Sequence, residues 1–186
     1  MAADTTKSLD SIGSGTLPDQ GIAHESATDI DLGIDLGTTR TVVARADRGN
    51  YHIISFTDEH GDEHDFIPSL TALHEGTLVH GFAARQAAHQ GAPLLRSLKR
   101  VLASPTLTAS TPVRLGDKTF SVLEVLTSYL RHLKSELADR GIDITRARVV
   151  VAVPAHAYGE QRLMTLEAFQ QAGFRLAPML HEHRAA

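Results

Sequence analysis

The 186-residue chain contains no cysteine. That one absence excludes a disulfide framework, thiolate zinc sites and a cysteine nucleophile. It agrees with a reducing cytoplasm, which is the expected location. Long apolar runs are missing too: no stretch comes near the ~20 residues of a membrane-spanning helix. The N-terminus has no basic region followed by an apolar one, so it does not read as a secretory signal. Positive charge is also in short supply. The chain carries a formal charge of −4 and a pI near 6.2, without the basic face of an electrostatic nucleic-acid binder. Nor is there a polybasic stretch for a membrane surface. Neither nucleic acid nor membrane is expected as a partner.

The negative charge that is present sits at one end. Residues 1–29 hold Lys7 against Asp4, Asp10, Asp19, Glu25 and Asp29, whereas the other 157 residues balance 17 basic and 17 acidic groups. The first segment is rich in Ser, Thr, Asp and Gly and lacks periodicity, which predicts a disordered acidic tail over residues 1–30. A hydrophobic content of 42% is enough for a packed core, so residues 31–186 are expected to fold. At roughly 150 residues per domain this is one unit plus a tail.

From Asp31 the pattern turns to β. Leu32–Leu36 alternates as a strand, a Gly-Thr-Thr turn follows, and Thr41–Ala44 reads as a second strand. Tyr51–Phe56 is a third, reached through the Gly49-Asn50 turn. Short strands are expected around Leu70–Leu73 and Thr77–Val79, completing an antiparallel meander. Helical periodicity then appears at Phe82–His89 and at Pro93–Leu102, the latter with proline in its first turn. Ser104–Pro112 reads as a link into a hairpin around Gly116-Asp117. The clearest helix covers 121–140: Ser121-Val122-Leu123-Glu124 resembles a capping box, and Val122, Leu126, Tyr129, Leu130, Leu133 and Leu137 share a face. Ala147–Val153 has the apolar run of a buried strand. A helix at about 158–172 and a last strand, Phe174–Leu180, close an α/β arrangement.

Most of the chemistry lies in Gly33-Ile34-Asp35-Leu36-Gly37-Thr38-Thr39-Arg40-Thr41. Gly37 permits close approach of an anion, and the amides of residues 37–39 can form a nest for phosphate oxygens. The hydroxyls of Thr38 and Thr39 add donors. Asp35 would repel phosphate directly, so its natural role is to hold Mg²⁺ through water. No Gly-Lys-Ser/Thr follows and the next element is a strand, which excludes a Walker A loop. The plain alternative is an ordinary hairpin with a surface aspartate.

This stretch resembles the first phosphate loop of the actin-like ATPase superfamily, and more narrowly that of the seventy-kilodalton heat-shock chaperones of the DnaK type. Further segments carry the narrower resemblance in family order: Ile67-Pro68-Ser69, Gly81 with Ala84, Ser97–Leu102, and Val151-Ala152-Val153-Pro154-Ala155 followed by Glu160-Gln161-Arg162. The resemblance implies an actin-like (ribonuclease H-like) first lobe with an appended subdomain, over 31–186. It implies that Asp35 places Mg²⁺-bound water and that Gly37, Thr38 and Thr39 hold the ATP phosphates. Arg40 stands beside them, where the family commonly has Asn or Tyr. By the same resemblance Lys99 stabilises charge on the γ-phosphoryl group and orients the attacking water, effects that dominate catalysis of phosphoryl transfer. Pro154 and Arg162 match a pair that relays nucleotide state to a substrate-binding domain. Glu182 matches an acidic residue near Mg²⁺, although His181–Ala186 departs from the family's Asn-Glu-Pro-Thr-Ala-Ala. Outside the resemblance, Lys99 reads as a solvated helix lysine.

Two histidine groups offer a metal reading. His60 and His64 lie among five carboxylates, and His181 and His183 form a second pair. Gly61 in a turn-rich stretch favours a solvated turn for the first.

The family's second phosphate loop, Asp-x-Gly-Gly-Gly-Thr, and its adenosine-binding segment do not occur in the 186 residues. The expectation is therefore a DnaK-like ATPase-domain portion, ancestrally serving ATP-dependent protein folding, that is poor at hydrolysis alone because positioning and water exclusion are lost. Expected partners are co-chaperones or a complementary lobe, with unfolded clients only if a peptide-binding domain is supplied. The alternatives are a non-catalytic interaction module and an actin-like filament or sugar-kinase fragment.

Overall fold

The computed structural model describes residues 30–104, 106–152 and 159–177. In chain order the strands and helices are β1 (Ile30–Leu36), β2 (Arg40–Asp47), β3 (Asn50–Ile53), β4 (Phe56–Thr57), β5 (Glu63–His64), β6 (Ile67–Pro68), β7 (Thr71–His74), β8 (Thr77–His80), α1 (Gly81–His89), β9 (Leu94–Leu95) and α2 (Leu98–Leu102). They continue with β10 (Pro112–Leu115), β11 (Lys118–Ser121), α3 (Val122–Asp139), β12 (Ala147–Ala152), α4 (Gly159–Gln171) and β13 (Arg175–Leu176).

The main sheet has the order β13-β12-β1-β2-β3, with β6 pairing the start of β2. β1 is its centre: antiparallel to β2 and parallel to β12, which runs parallel to β13. Alternation along the strands separates two faces. Leu32, Ile34, Thr41, Val43, Ala147 and Val149 are buried in a core shared with Leu126, Tyr129, Leu130 and Leu133 of α3 and with Met164, Ala168 and Phe169 of α4. The other face carries Gly33, Asp35, Val150 and Ala152 in solvent, continued across β3 by the exposed Tyr51 and Ile53.

α3 forms where its sequence predicts. The Ser121 hydroxyl accepts from the Glu124 amide at 3.2 Å, and the Glu124 carboxylate accepts from the Ser121 amide at 2.6 Å, a complete capping box. Its apolar stripe is the axis of the core. The appended part is smaller: the sheet β8-β7-β9 holds α1 on a core of Ala72, Ala84 and Ala87.

Two elements differ from the sequence expectation. The third strand ends at Ile53, and Phe56–Thr57 pairs with Glu63–His64 as a separate small hairpin. The helix expected over Pro93–Leu102 covers only Leu98–Leu102. Leu94–Leu95 is instead a strand on β7, with the Leu73 amide donating to the Pro93 carbonyl at 3.0 Å. Ser97, not the proline, starts the helix: its hydroxyl accepts from the Arg100 amide. The ends of the strand expected over Ala147–Val153 and of the one over Phe174–Leu180 lie outside the described residues.

Candidate functional site

The turn between β1 and β2 is fixed from three directions. Gly37 is sterically required, because a β-carbon there would overlap the carbonyl oxygen of Arg40. The Thr39 carbonyl accepts from the Ser69 amide at 3.0 Å. Thr41, the second residue of β2, is buried and exchanges a hydroxyl hydrogen bond with Ser69 at 3.0 Å. Between these anchors Thr38 and Thr39 are exposed. The turn is therefore tied at its backbone, and the hydroxyls of Thr38 and Thr39 have no partner among the described residues.

Lys99 is half-buried on α2 and lines one cleft with Gly37. Leu36, Thr41, Ser69, Tyr129, Ala152, Gln161 and Thr165 also face this half-open, largely apolar space. Lys99 has no hydrogen-bonding or ionic partner among the described residues. Asp35 lies on the opposite, open face of the sheet, with Val42 and Ala152. It is exposed and has no partner among the described residues. The structure thus brings Gly37 and Lys99 to one cleft and sets Asp35 two residues before Gly37 on the other side of the strand.

Arg40 is occupied: its guanidinium lies 4.3 Å from the centre of the Phe66 ring, a cation–π contact. Phe66 is 5.5 Å from the His64 ring, which is 5.0 Å from Phe82. His64 Nε2 is 2.9 Å from an Asp58 carboxylate oxygen that also accepts from Arg85 at 2.9 Å. The other Asp58 oxygen accepts from the amides of His60 and Asp62. Hydrogen bonding to His64, with these amides and Arg85, holds the Asp58 carboxyl well below the usual carboxylate range. The Asp58–Asp65 segment is thus a tied turn in which the carboxylate serves protein donors. Among the described residues no group of three or more His, Asp or Glu side chains is placed to hold a metal.

Arg162 sits in the first turn of α4, half-buried. Pro154, Glu182, His181 and His183 lie outside the described residues.

Sequence reasoning missed the group behind the turn. Tyr129 of α3 is 1% exposed. Its hydroxyl donates to Thr41 Oγ1 at 2.7 Å and stands 3.3 Å from the Pro68 carbonyl oxygen. Burial pushes its pKa up to about 12, so it stays a donor. The one available signal was a phenol in the apolar stripe of α3, since a buried tyrosine hydroxyl normally finds a partner. Beside it His80 is buried between Thr71, 3.0 Å from Nδ1, and Ser128, 2.8 Å from Nε2.

Comparison with known proteins gives a consistent answer. The sequence model of the family described as "Hsp70 protein" matches residues 31–186. The chain is 32% identical over 157 residues to "Chaperone protein DnaK" of Halobacterium salinarum, covering 83% of this chain and 23% of that protein. To the protein of the same description in Mycoplasmopsis agalactiae it is 28% identical over 160 residues, 86% of this chain and 25% of that one. The chain spans about a quarter of the length of the curated relatives it matches.

Proposed function

Because the chain belongs to the Hsp70 family, we propose that residues 31–186 form the first lobe of a DnaK-like chaperone ATPase domain. In this reading the β1–β2 turn and Lys99 grip the phosphates of ATP. One observation carries it: a sterically fixed turn with exposed threonine hydroxyls opens through Gly37 onto the same cleft as a lysine that has no partner among the described residues. The donor set fits a triphosphate. Gly37 gives the close approach, Thr38 and Thr39 donate hydroxyl protons, and Lys99 compensates charge on the terminal phosphoryl group. Asp35 lies across β1 from that cleft; as the exposed carboxylate two residues before Gly37 it is the group that would hold Mg²⁺ through water rather than by direct contact with phosphate, and Mg²⁺ when bound neutralises phosphate charge. Arg40, stacked on Phe66, adds positive potential beside the turn. Pro154 and Arg162 are the proposed relay to a client-binding part, and Glu182 the second acidic group near the metal.

These 186 residues supply one wall of a nucleotide site. We expect weak Mg-ATP binding and slow hydrolysis from them alone, since water exclusion and a second set of phosphate contacts are both needed for fast transfer. Calorimetric titration of the 186-residue chain with Mg-ATP, with and without Lys99→Ala, tests the reading. Binding that Lys99→Ala weakens supports it; equal behaviour of the two proteins overturns it. Fast turnover abolished by Lys99→Ala would sink the deficiency alone. In this reading the protein acts in the cytoplasm with co-chaperones, and with unfolded polypeptides only where a peptide-binding part is supplied. Among the described residues no helix is long and apolar enough to cross a membrane.

The exposed sheet face, with Val150 59% and Ile53 53% exposed, favours a second reading. In it the chain is an interaction module for a complementary lobe or a co-chaperone. Sedimentation showing a strict monomer, with no co-chaperone retained, would count against it.

A further inference from the structure

The phosphate turn and the long helix α3 are far apart in sequence, yet one phenol joins them. Tyr129 is in the middle of α3, one face of which is otherwise the apolar axis of the core. Its hydroxyl donates to Thr41, two residues beyond the turn. Thr41 bonds Ser69, and the Ser69 amide holds the carbonyl of Thr39, the last residue of the turn. The same phenol stands against the carbonyl of Pro68, so both strands that meet at the turn, β2 and β6, are tied to one atom. Every side chain in this chain of contacts is buried, where a hydrogen bond is strongest and the loss of a partner costs most. Thr41, Ser69 and Tyr129 also line the cleft that Lys99 and Gly37 share.

We propose that Tyr129 is a positioning residue of the phosphate site: through Thr41 and Ser69 it holds the exit of the turn at Thr39 in the geometry that receives phosphate. The inference rests on the nucleotide reading above for what the turn binds, but not for the turn's being held. A core role alone would need only the ring. The hydroxyl, aimed at the first buried side chain after the turn, is what the positioning role adds. Preorganised donors gain their value from not having to reorganise when the anion arrives.

The test compares Tyr129→Phe, which keeps the ring, with Ile144→Val. Ile144 is buried and precedes Ala147, which pairs with Ile30 at the end of β1 remote from the turn. It reports loss of core packing alone. Two quantities are read on the full 186-residue chain: Mg-ATP affinity, and the amide NMR signals of residues 37–40. Tyr129→Phe should weaken Mg-ATP binding about three- to tenfold, the worth of one net hydrogen bond, and should shift or broaden the signals of the turn. Ile144→Val should lower the melting temperature without either effect. Thr41→Val, which removes the partner hydroxyl, should reproduce the Tyr129→Phe pattern. If Tyr129→Phe behaves as Ile144→Val does, the proposal is overturned. If the unmodified chain binds no Mg-ATP, the nucleotide reading falls, and the amide signals decide alone. Changed signals then support the positioning of the turn, and unchanged ones overturn it.

Discussion

A β-carbon on Gly37 would overlap the carbonyl oxygen of Arg40. The turn therefore closes only around glycine, and for steric rather than dihedral reasons, since Gly37 is not among the positive-φ residues. Gly37→Ala must push Arg40 outward, and with it the start of β2, which pairs β6 at Pro68 and Ile67. Overpacking of this kind costs about 1–3 kcal/mol. The expected outcome is a lower melting temperature together with Mg-ATP affinity reduced at least about tenfold, as 1.4 kcal/mol of misplacement would give. Unchanged affinity in a folded Gly37→Ala protein would show that the turn does not receive the phosphates.

Lys99 predicts the opposite separation. It is half-buried and without a partner among the described residues. Removing its ammonium breaks no described contact, so Lys99→Ala should change stability by less than about 0.5 kcal/mol, as for other surface positions. Mg-ATP affinity should fall, because the charge facing the cleft is gone. Urea unfolding and calorimetric titration of the same preparation read the two effects side by side. A stability loss well above that range would make Lys99 a structural lysine.

His80 predicts a pH dependence. Burial, and after it the charge of the neighbouring His132 ring 5.8 Å away, pushes its pKa from 6.5 down to about 3. Its other neighbours are Thr71, Ser128 and the edge of Tyr129; His132 in turn faces Glu136 at 4.0 Å. With the folded pKa below the unfolded one, the unfolded chain takes up the proton first. Stability due to His80 is thus complete above pH 6.5 and is lost as pH falls towards 3, by about 1.4 kcal/mol per pH unit. His132, also lowered mainly by burial, acts in the same direction. Asp58 has the ordinary carboxylate sign: its contribution holds above pH 3.8 and fades as pH falls through its depressed folded value. Urea midpoints should stay nearly level from pH 7.5 to 6.5 and fall from there to pH 4.5, and the His80 ring signals should not titrate above pH 4. Titration near 6.5 would refute the buried neutral histidine.

How legible this was in the sequence depended on the range of the interaction. The Gly37-Thr38-Thr39 turn and the Ser121–Glu124 capping box were readable because each is made by residues within four positions of one another. Pro93 misled because its helix-starting preference is local, whereas the pairing of Leu95 with Thr71 is tertiary and overrides it. The break after Ile53 has the same origin: Phe56 turns inward to full burial and pairs with His64. The contact of Tyr129 with Thr41 spans 88 positions. No local pattern encodes such a partner. The stripe of α3 showed that Tyr129 would be buried, but not where its hydroxyl would go.

The two faces of the main sheet give the sharpest contrast between adjacent residues. Val149 is 1% exposed and packs in the core; Val150, its neighbour on β12, is 59% exposed on the open face. Both sit in register with β1, opposite Leu32 and Gly33. Gly33 has open space where a side chain would stand, so Val150 finds no side chain to lean on across its pairing with β1. Val149→Ala should cost about 2 kcal/mol, the transfer term plus the cavity left under α3 and α4. Val150→Ala should cost less than about 1 kcal/mol, the scale of strand propensity alone. Denaturant unfolding of the two variants measures this directly. A cost at Val150 equal to that at Val149 would mean that the open face is covered in solution by another chain, and it would then depend on protein concentration.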